Sequence, residues 1–218
     1  MASALIDIET LAERRDIVAY FGYGSLVNRN TLRTNIIAAI PARLQGWRRL
    51  WRPRPDMPGF PAALLSVSRE EGASVDGLLV FDHGDNLDAV DLREVHYDRR
   101  TIRLEHINTS MPLRLTCPIY VYEAQHDIPS HPKPPMILQS YLDAVMQGFL
   151  IEHGEAGLRR FVAETGNFDT PVWKDRTVPS YPRAVSLSTD EAQLFDQLLA
   201  DREVTFLDIA ESGPEAIA

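Results

Sequence analysis

Apolar and polar positions change period several times along the chain, and each change marks an element. Residues 1 to 16 read as an amphipathic helix or arm, and Ile17 to Tyr23, β-branched and aromatic, as a buried strand. The run stops at a Gly-Tyr-Gly-Ser turn, after which Thr31 to Ile37 has a short helical pattern with Asn28 or Asn30 as cap. Pro41 to Arg52 mixes bulky apolar residues with arginines, the pattern of an edge strand or of a strand bulged near Gly46. Ala63 to Val67 and Val75 to Phe81 read as a hairpin-like pair around the polar turn Ser68 to Ser74. Asn86 to Arg93 is a short helix with Asp85 or Asn86 as cap. Thr101 to Ile107 and Leu113 to Tyr122 are strands, the second interrupted by Pro118.

The proline-rich stretch His126 to Pro135 fits neither helix nor central strand and reads as an ordered loop or lid. Ser140 to His153 carries Leu142, Val145, Met146, Phe149 and Leu150 at helical spacing, with Gly154 as its stop; Glu155 to Thr165 continues as a second helix up to Gly166. Ser188-Thr-Asp-Glu191 is a capping box that opens a last helix, and Ser212 to Ala218 is a fraying tail. Strands early and most helices late predict an α+β fold with a mostly antiparallel sheet that curls toward a barrel. With no linker evident, all 218 residues form one domain, its core about 17–187 and its C-terminal helix and tail 188–218.

Charge and cysteine use narrow the function. A formal charge of −9 opposes a nucleic-acid partner, since phosphate binding depends on lysine and arginine. The lone cysteine, Cys117, excludes an intrachain disulfide and a thiolate zinc cage, and in a strand-like run it reads as an inert core thiol. No basic region precedes an apolar core near Met1, and no apolar run reaches membrane-spanning length, so the expectation is a cytoplasmic enzyme or metabolite binder.

Two segments are candidates for chemistry. In Val18 to Leu26 a strand hands over to a turn that opens a helical pattern, so main-chain N–H groups there could hold an anion, with Gly22 and Gly24 supplying positive φ and close approach; a plain connection capped by serine is the alternative. In Leu87 to Ile102 a short helix passes into a strand, placing Glu94, His96 and Tyr97 at a boundary where side chains can enter a cavity; a solvated charged corner is the alternative. Trp47 and Trp51 among Arg43, Arg48, Arg49, Arg52 and Arg54 imitate a single-strand-binding surface, which the overall charge opposes. His126 and His131 have no acidic partner at ligand spacing, so no metal is expected, and Tyr181 could reach a pocket from a late loop.

Tyr23-Gly-Ser-Leu26, Gln45-Gly-Trp-Arg-Arg49 and Leu92-Arg-Glu-Val-His-Tyr97, in that order and spacing, resemble the gamma-glutamyl cyclotransferase superfamily, closest to its ChaC-like branch. The likeness runs over residues 17 to 102; the Leu-Asp pair usual before Arg-Glu is displaced, and nothing after Leu150 is matched. The resemblance implies a gamma-glutamyl cyclotransferase-like fold and release of 5-oxoproline from a gamma-glutamyl compound, glutathione or a gamma-glutamyl amino acid or amine. In that reaction the substrate's own α-amine attacks its γ-carbonyl, so no cofactor, metal or protein nucleophile is needed. Glu94 would take and return the proton, helped by a burial-raised pKa, with Asp98 and Glu105 as the next carboxylates. Main-chain N–H groups of Gly24, Ser25 and Leu26 would bind the α-carboxylate or the oxyanion, Tyr23 would line the pocket and Tyr97 would offer a hydroxyl. A non-catalytic binding module that keeps this cradle, and an acyl transfer on gamma-glutamyl amines, are the competing functions.

Overall fold

The computed structural model describes residues 16–32, 35–54, 62–125 and 134–208. The expected N-terminal arm, most of the proline-rich stretch and the C-terminal tail fall outside the described residues. Among the described residues nine strands form one sheet: β1 Ile17–Gly22, β2 Ala38–Arg54, β3 Ala62–His83, β4 Tyr97–Ile102, β5 Ile107–Thr109, β6 Ile119–Ala124, β7 Met136–Leu138, β8 Val172–Trp173 and β9 Phe206–Leu207. Three α-helices accompany it, α1 Leu87–Arg93, α2 Gln139–Glu164 and α3 Thr189–Asp201. The long pairings, β1 with β3, β2 with β3 and β4 with β6, are antiparallel. Shorter parallel pairings join β1 to β6 and run from β3 through β7 and β8 to β9. This is the expected α+β architecture, with a sheet that curls without closing.

Every residue of β1 is buried, which explains its unalternating apolar run: the strand is flanked by β3 and β6 and covered on both faces. The bulge expected near Gly46 is present as a register shift between Gln45 and Trp47, and Gly46 supplies the left-handed φ of 78°. Trp47 and Trp51 are each 1% exposed, so their indoles belong to the core and offer no surface on which bases could stack.

Several local expectations give way to tertiary pairing. Ala63 to Val67 and Val75 to Phe81 do not fold on each other; both lie in the single strand β3, and each pairs with β2. The polar turn between them becomes an outward irregularity facing the Gly46 bulge, because the long partner strand satisfies the backbone on both sides of it. Between residues 31 and 37 the described residues form no α-helix. Thr31 instead closes a single 3-10 turn, Arg29–Thr31, capped by the Asn28 side chain. Buried Asn28 also donates to Ala144 O (2.9 Å) and Gln147 Oε1 (3.0 Å) of α2, so long-range anchors replace a local helix. Gly148 makes that approach possible, since a Cβ there would meet the Asn28 backbone at 2.6 Å.

Farther along, Thr101 to Ile107 is divided among the end of β4, a 3-10 turn Leu104–His106 and the start of β5. Leu113 to Pro118 is irregular, with β6 beginning only after the proline, and Cys117 is half-buried with its thiol pKa raised by burial. Asn86 precedes α1 without a side-chain cap; its amide donates to Asp82 instead. Gly154 interrupts α2 at φ 65° where the first helix was expected to stop, and the Ser188 capping box is complete, with Ser188 Oγ accepting from Glu191 N and Glu191 Oε2 from Ser188 N.

Candidate active site

β1 delivers Tyr23 to Leu26 to the edge of a cavity of about 200 Å³, and the turn after α1 delivers Arg93, Glu94 and Tyr97 to the same space. Tyr23, Gly24, Ser25, Leu26, Glu94 and Tyr97 all line it. The sequence read the cradle as a helix N-terminus, and here the structure differs. Ser25–Val27 is a lone 3-10 turn, closed by Val27 N to Gly24 O (3.0 Å) and Asn28 N to Ser25 O (3.1 Å). The N–H groups of Gly24, Ser25 and Leu26 precede those bonds and have no partner within the turn itself. Gly22 and Gly24 also lack the expected positive φ. They are small because neighbouring side chains crowd them: a Cβ would come within 2.7 Å of Leu26 Cβ at Gly22 and 3.1 Å of the Tyr141 hydroxyl at Gly24.

Arg93 ties the two distant segments together. Its Nη1 donates to Thr31 O (3.0 Å), its Nη2 to Ser25 Oγ (3.1 Å), and its Nε lies 3.1 Å from Glu94 Oε1. In sequence this arginine is one charge in a charged cluster, and nothing local marks it as the clasp. The chain then reverses through His96, whose φ of 73° puts it in the left-handed region, and enters β4 with Tyr97 N bonded to Glu94 O (2.9 Å). That reversal lets Glu94 and Tyr97 face one cavity, whereas His96, grouped with them in the sequence reading, is not among the lining residues.

Glu94 keeps only 17% of its side chain exposed. Burial raises its pKa above the usual carboxylate range, against the opposing pull of Arg93, Arg183 and Arg54. Glu94 also borders a groove outside the cavity, with Asp91, Asp98 and Tyr122, and so stands between the enclosed space and solvent. Asp98 faces that outer groove and pairs with Arg100 (2.8 Å), and Glu105 pairs with Arg103 (2.7 Å) at the surface. Neither of those carboxylates lines the cavity.

Tyrosines recur around the wall: Tyr23, Tyr97, Tyr122, Tyr141 and Tyr181. Tyr23 donates to Tyr122 O (2.5 Å), Tyr97 to Leu65 O (2.8 Å) and Tyr122 to Asp91 Oδ1 (2.5 Å). Burial is the first cause that lifts the Tyr23, Tyr122 and Tyr141 pKa values, so all three stay protonated; Glu94 adds to the rise at Tyr23 and Tyr141. Beneath the cradle, buried Arg49 donates to Tyr23 O (3.2 Å), Asp76 O (3.0 Å) and Thr165 Oγ1 (2.9 Å), its guanidinium over the rings of Phe149 and Phe161. Burial lowers its pKa to about 9, which leaves it charged at neutral pH.

The far wall comes from residues with no recognised motif. Tyr141 at the start of α2, and Tyr181, Pro182 and Arg183 from the loop before α3, complete the lining. Tyr181, read from sequence as a loop residue that could reach the site, does line it; Tyr141 and Arg183 were missed. Tyr141 sits on α2 as one more apolar-face residue, and in the fold its ring packs edge-on against Tyr181 (5.0 Å between rings).

The cavity thus brings the Tyr23 to Leu26 turn and one carboxylate of raised pKa to a common space. Among the described residues no group of three or more metal-ligating side chains is present. A family model described as gamma-glutamyl cyclotransferase, AIG2-like, matches residues 20–140. The chain belongs to that family, and the match does not select the ChaC-like branch. A solved gamma-glutamyl cyclotransferase is 16% identical, with a TM-score of 0.51, covering 83% of this chain and 99% of its own. An uncharacterized protein from Homo sapiens gives 16% identity, a TM-score of 0.52 and the same coverage. These likenesses establish the fold. Among curated proteins none matches the sequence. No helix among the described residues is long and apolar enough to cross a membrane.

Proposed function

We propose that this protein is a gamma-glutamyl cyclotransferase that releases 5-oxoproline from a small gamma-glutamyl donor. The observation that carries the reading is the Glu94 carboxyl, raised in pKa by burial, lining the same cavity as the Tyr23 to Leu26 cradle. In its ionised form Glu94 takes a proton from the donor's α-ammonium. The freed amine attacks the γ-carbonyl carbon, forming the ring C–N bond and an oxyanion. On collapse Glu94 returns the proton to the departing nitrogen as the original amide C–N bond breaks; the carboxylate then takes the second proton off the ring nitrogen and passes it to the freed amine, so that 5-oxoproline and an ammonium leave. No water is consumed and no protein nucleophile takes part.

The protein's contribution is geometry and proton management. Ring closure within one molecule already gains effective molarities on the order of 10⁵ to 10⁸ M when the reacting atoms are held in place. The N–H groups at Gly24 to Leu26 supply hydrogen bonds to the α-carboxylate or the developing oxyanion. The raised pKa suits a group that must accept and then donate near neutral pH, and the outer groove lets Glu94 exchange protons with solvent. A cytoplasmic setting is part of the reading, in keeping with the lone cysteine.

The test is turnover. Purified protein is incubated with glutathione and a panel of gamma-glutamyl amino acids and amines, and 5-oxoproline is measured by mass spectrometry. Release of 5-oxoproline that Glu94→Gln lowers on the order of 10²- to 10⁴-fold is the expected result. Binding without any release would make the protein a non-catalytic module. Transfer of the glutamyl group to an added amine, without 5-oxoproline, would make it an acyl transferase.

A further inference from the structure

We propose that Arg183 determines which donors this site accepts, selecting gamma-glutamyl compounds whose amine half carries a carboxylate over those whose amine half is neutral or cationic. The inference rests on the cyclotransferase reading and extends it to the leaving half of the substrate.

The family match ends at residue 140, and the far wall of the cavity, Tyr141, Tyr181, Pro182 and Arg183, lies wholly beyond it. The matched part of the chain takes in the cradle and Glu94, and a later segment supplies the rest of the lining. That surface is held firmly. Asp175, fully buried, accepts from Ser140 N (2.7 Å), Ser140 Oγ (2.6 Å) and Ser180 N (2.8 Å), and Ser140 Oγ accepts from Tyr181 N (3.2 Å). The loop is pinned to the start of α2 immediately before Arg183, so its guanidinium is presented from a fixed base.

Charge balance then identifies what is missing. Arg54, Arg93 and Arg183 line the cavity against the single carboxylate of Glu94. Arg93 is engaged by Glu94, Ser25 and Thr31, and Arg54 lies over the Tyr97 ring at 5.3 Å. Among the described residues Arg183 makes a long contact to the Tyr181 hydroxyl (3.4 Å), with its charge 5.8 Å from that ring, and its buried Nε has no hydrogen-bond partner. A buried guanidinium N–H without an acceptor costs free energy until something supplies one. A gamma-glutamyl group brings one carboxylate and one ammonium and so adds no net negative charge for the Arg183 guanidinium. A carboxylate on the departing amine does, and it suits the forked geometry of a guanidinium. A polyamine in that half would add another cation.

Matched donors test this: gamma-glutamyl-alanine and gamma-glutamyl-ethylamine differ by the carboxylate alone. Each is offered to the wild type, Arg183→Gln and Arg183→Lys, reading kcat and KM for 5-oxoproline release and, separately, affinity by calorimetry. The wild type should favour the carboxylate donor about 10- to 100-fold, mainly through KM, as expected for a hydrogen bond to a charged group. Arg183→Gln should bring that ratio to within about threefold, with Arg183→Lys in between. Equal use of both donors by the wild type, or a preference that survives in Arg183→Gln, overturns the proposal. Should neither donor turn over, the cyclotransferase reading fails, while calorimetry on the same pair still decides the role of Arg183. Binding of neither donor ends both.

Discussion

The two walls of the cavity differ in what holds them. The near wall, residues 20 to 97, is assembled from β1, a 3-10 turn and the end of α1, and its functional groups are locked by cross-links between segments distant in sequence: Arg93 above the cradle and Arg49 beneath it. The far wall is a loop pinned to one helix by a single buried carboxylate, Asp175. Under the proposed function, the near wall carries the chemistry on the gamma-glutamyl half and the far wall reads whatever is attached to it. A shared reaction with a variable leaving group calls for this division, since the chemical step tolerates little displacement and the specificity surface can change without disturbing it.

The comparison can be broken first at Glu94. Glu94→Gln should cut kcat on the order of 10²- to 10⁴-fold with a small change in KM, measured as 5-oxoproline release. The same variant should melt at a higher temperature than the wild type at pH 7.5. The folded pKa of Glu94 lies above its unfolded value, so the stability it confers is present below the ordinary carboxylate range and lost as pH rises through the folded pKa. The ionised form is therefore a net cost at neutral pH, and the gain should shrink toward pH 4, as calorimetric melts would show. For catalysis, the acid limb of kcat/KM should fall above the usual carboxylate range and disappear in Glu94→Gln.

Arg49 should affect stability most among the groups beneath the near wall. Arg49→Ala removes donors from two buried carbonyls and opens a void beside the stacked rings of Phe149 and Phe161, at a cost of about 3–5 kcal/mol in urea unfolding. Asp175→Asn sharpens the contrast from the other side. It turns one of the two accepting oxygens into a donor, so that either the Ser140 or the Ser180 main-chain N–H loses its acceptor, should destabilise by roughly 2 kcal/mol, and should raise KM proportionally more than it lowers kcat. A variant at Asp175 that lowers kcat as far as Glu94→Gln, with KM unchanged, would erase the distinction between the walls. The smallest effect is expected at His96. His96→Val places a β-branched side chain at a left-handed φ and should cost about 1–2 kcal/mol, and His96→Gly should restore or exceed wild-type stability.

The near wall was legible because its pieces are short, contiguous and chemically marked. A buried strand ending in Gly-Tyr-Gly-Ser, and a helix end carrying Arg-Glu before Tyr, can be recognised by residue type and order alone. Arg93 escaped because its neighbours Asp91, Asp98, Arg99 and Arg100 make it look like one more surface charge, and only the fold places Ser25 and Thr31 within its reach. The glycines of the cradle were recognised as necessary for the wrong reason. Positive φ and close approach are what the turn suggests, whereas in the fold a Cβ at Gly22 would collide with Leu26 and one at Gly24 would crowd the hydroxyl of Tyr141, more than a hundred residues away.

Residue order and periodicity by themselves determined the strand–turn cradle, the bulge at Gly46, the break at Gly154, the capping box at Ser188 and the family to which the chain belongs, because each depends on side chains within a few positions of one another. Tertiary structure alone decided that Thr31 turns rather than begins a helix, that the two halves of β3 share one partner strand, and that Arg183 faces Glu94. Those outcomes depend on hydrogen bonds and charges brought together across sequence separations of tens to more than a hundred residues, where no local pattern records which groups will meet.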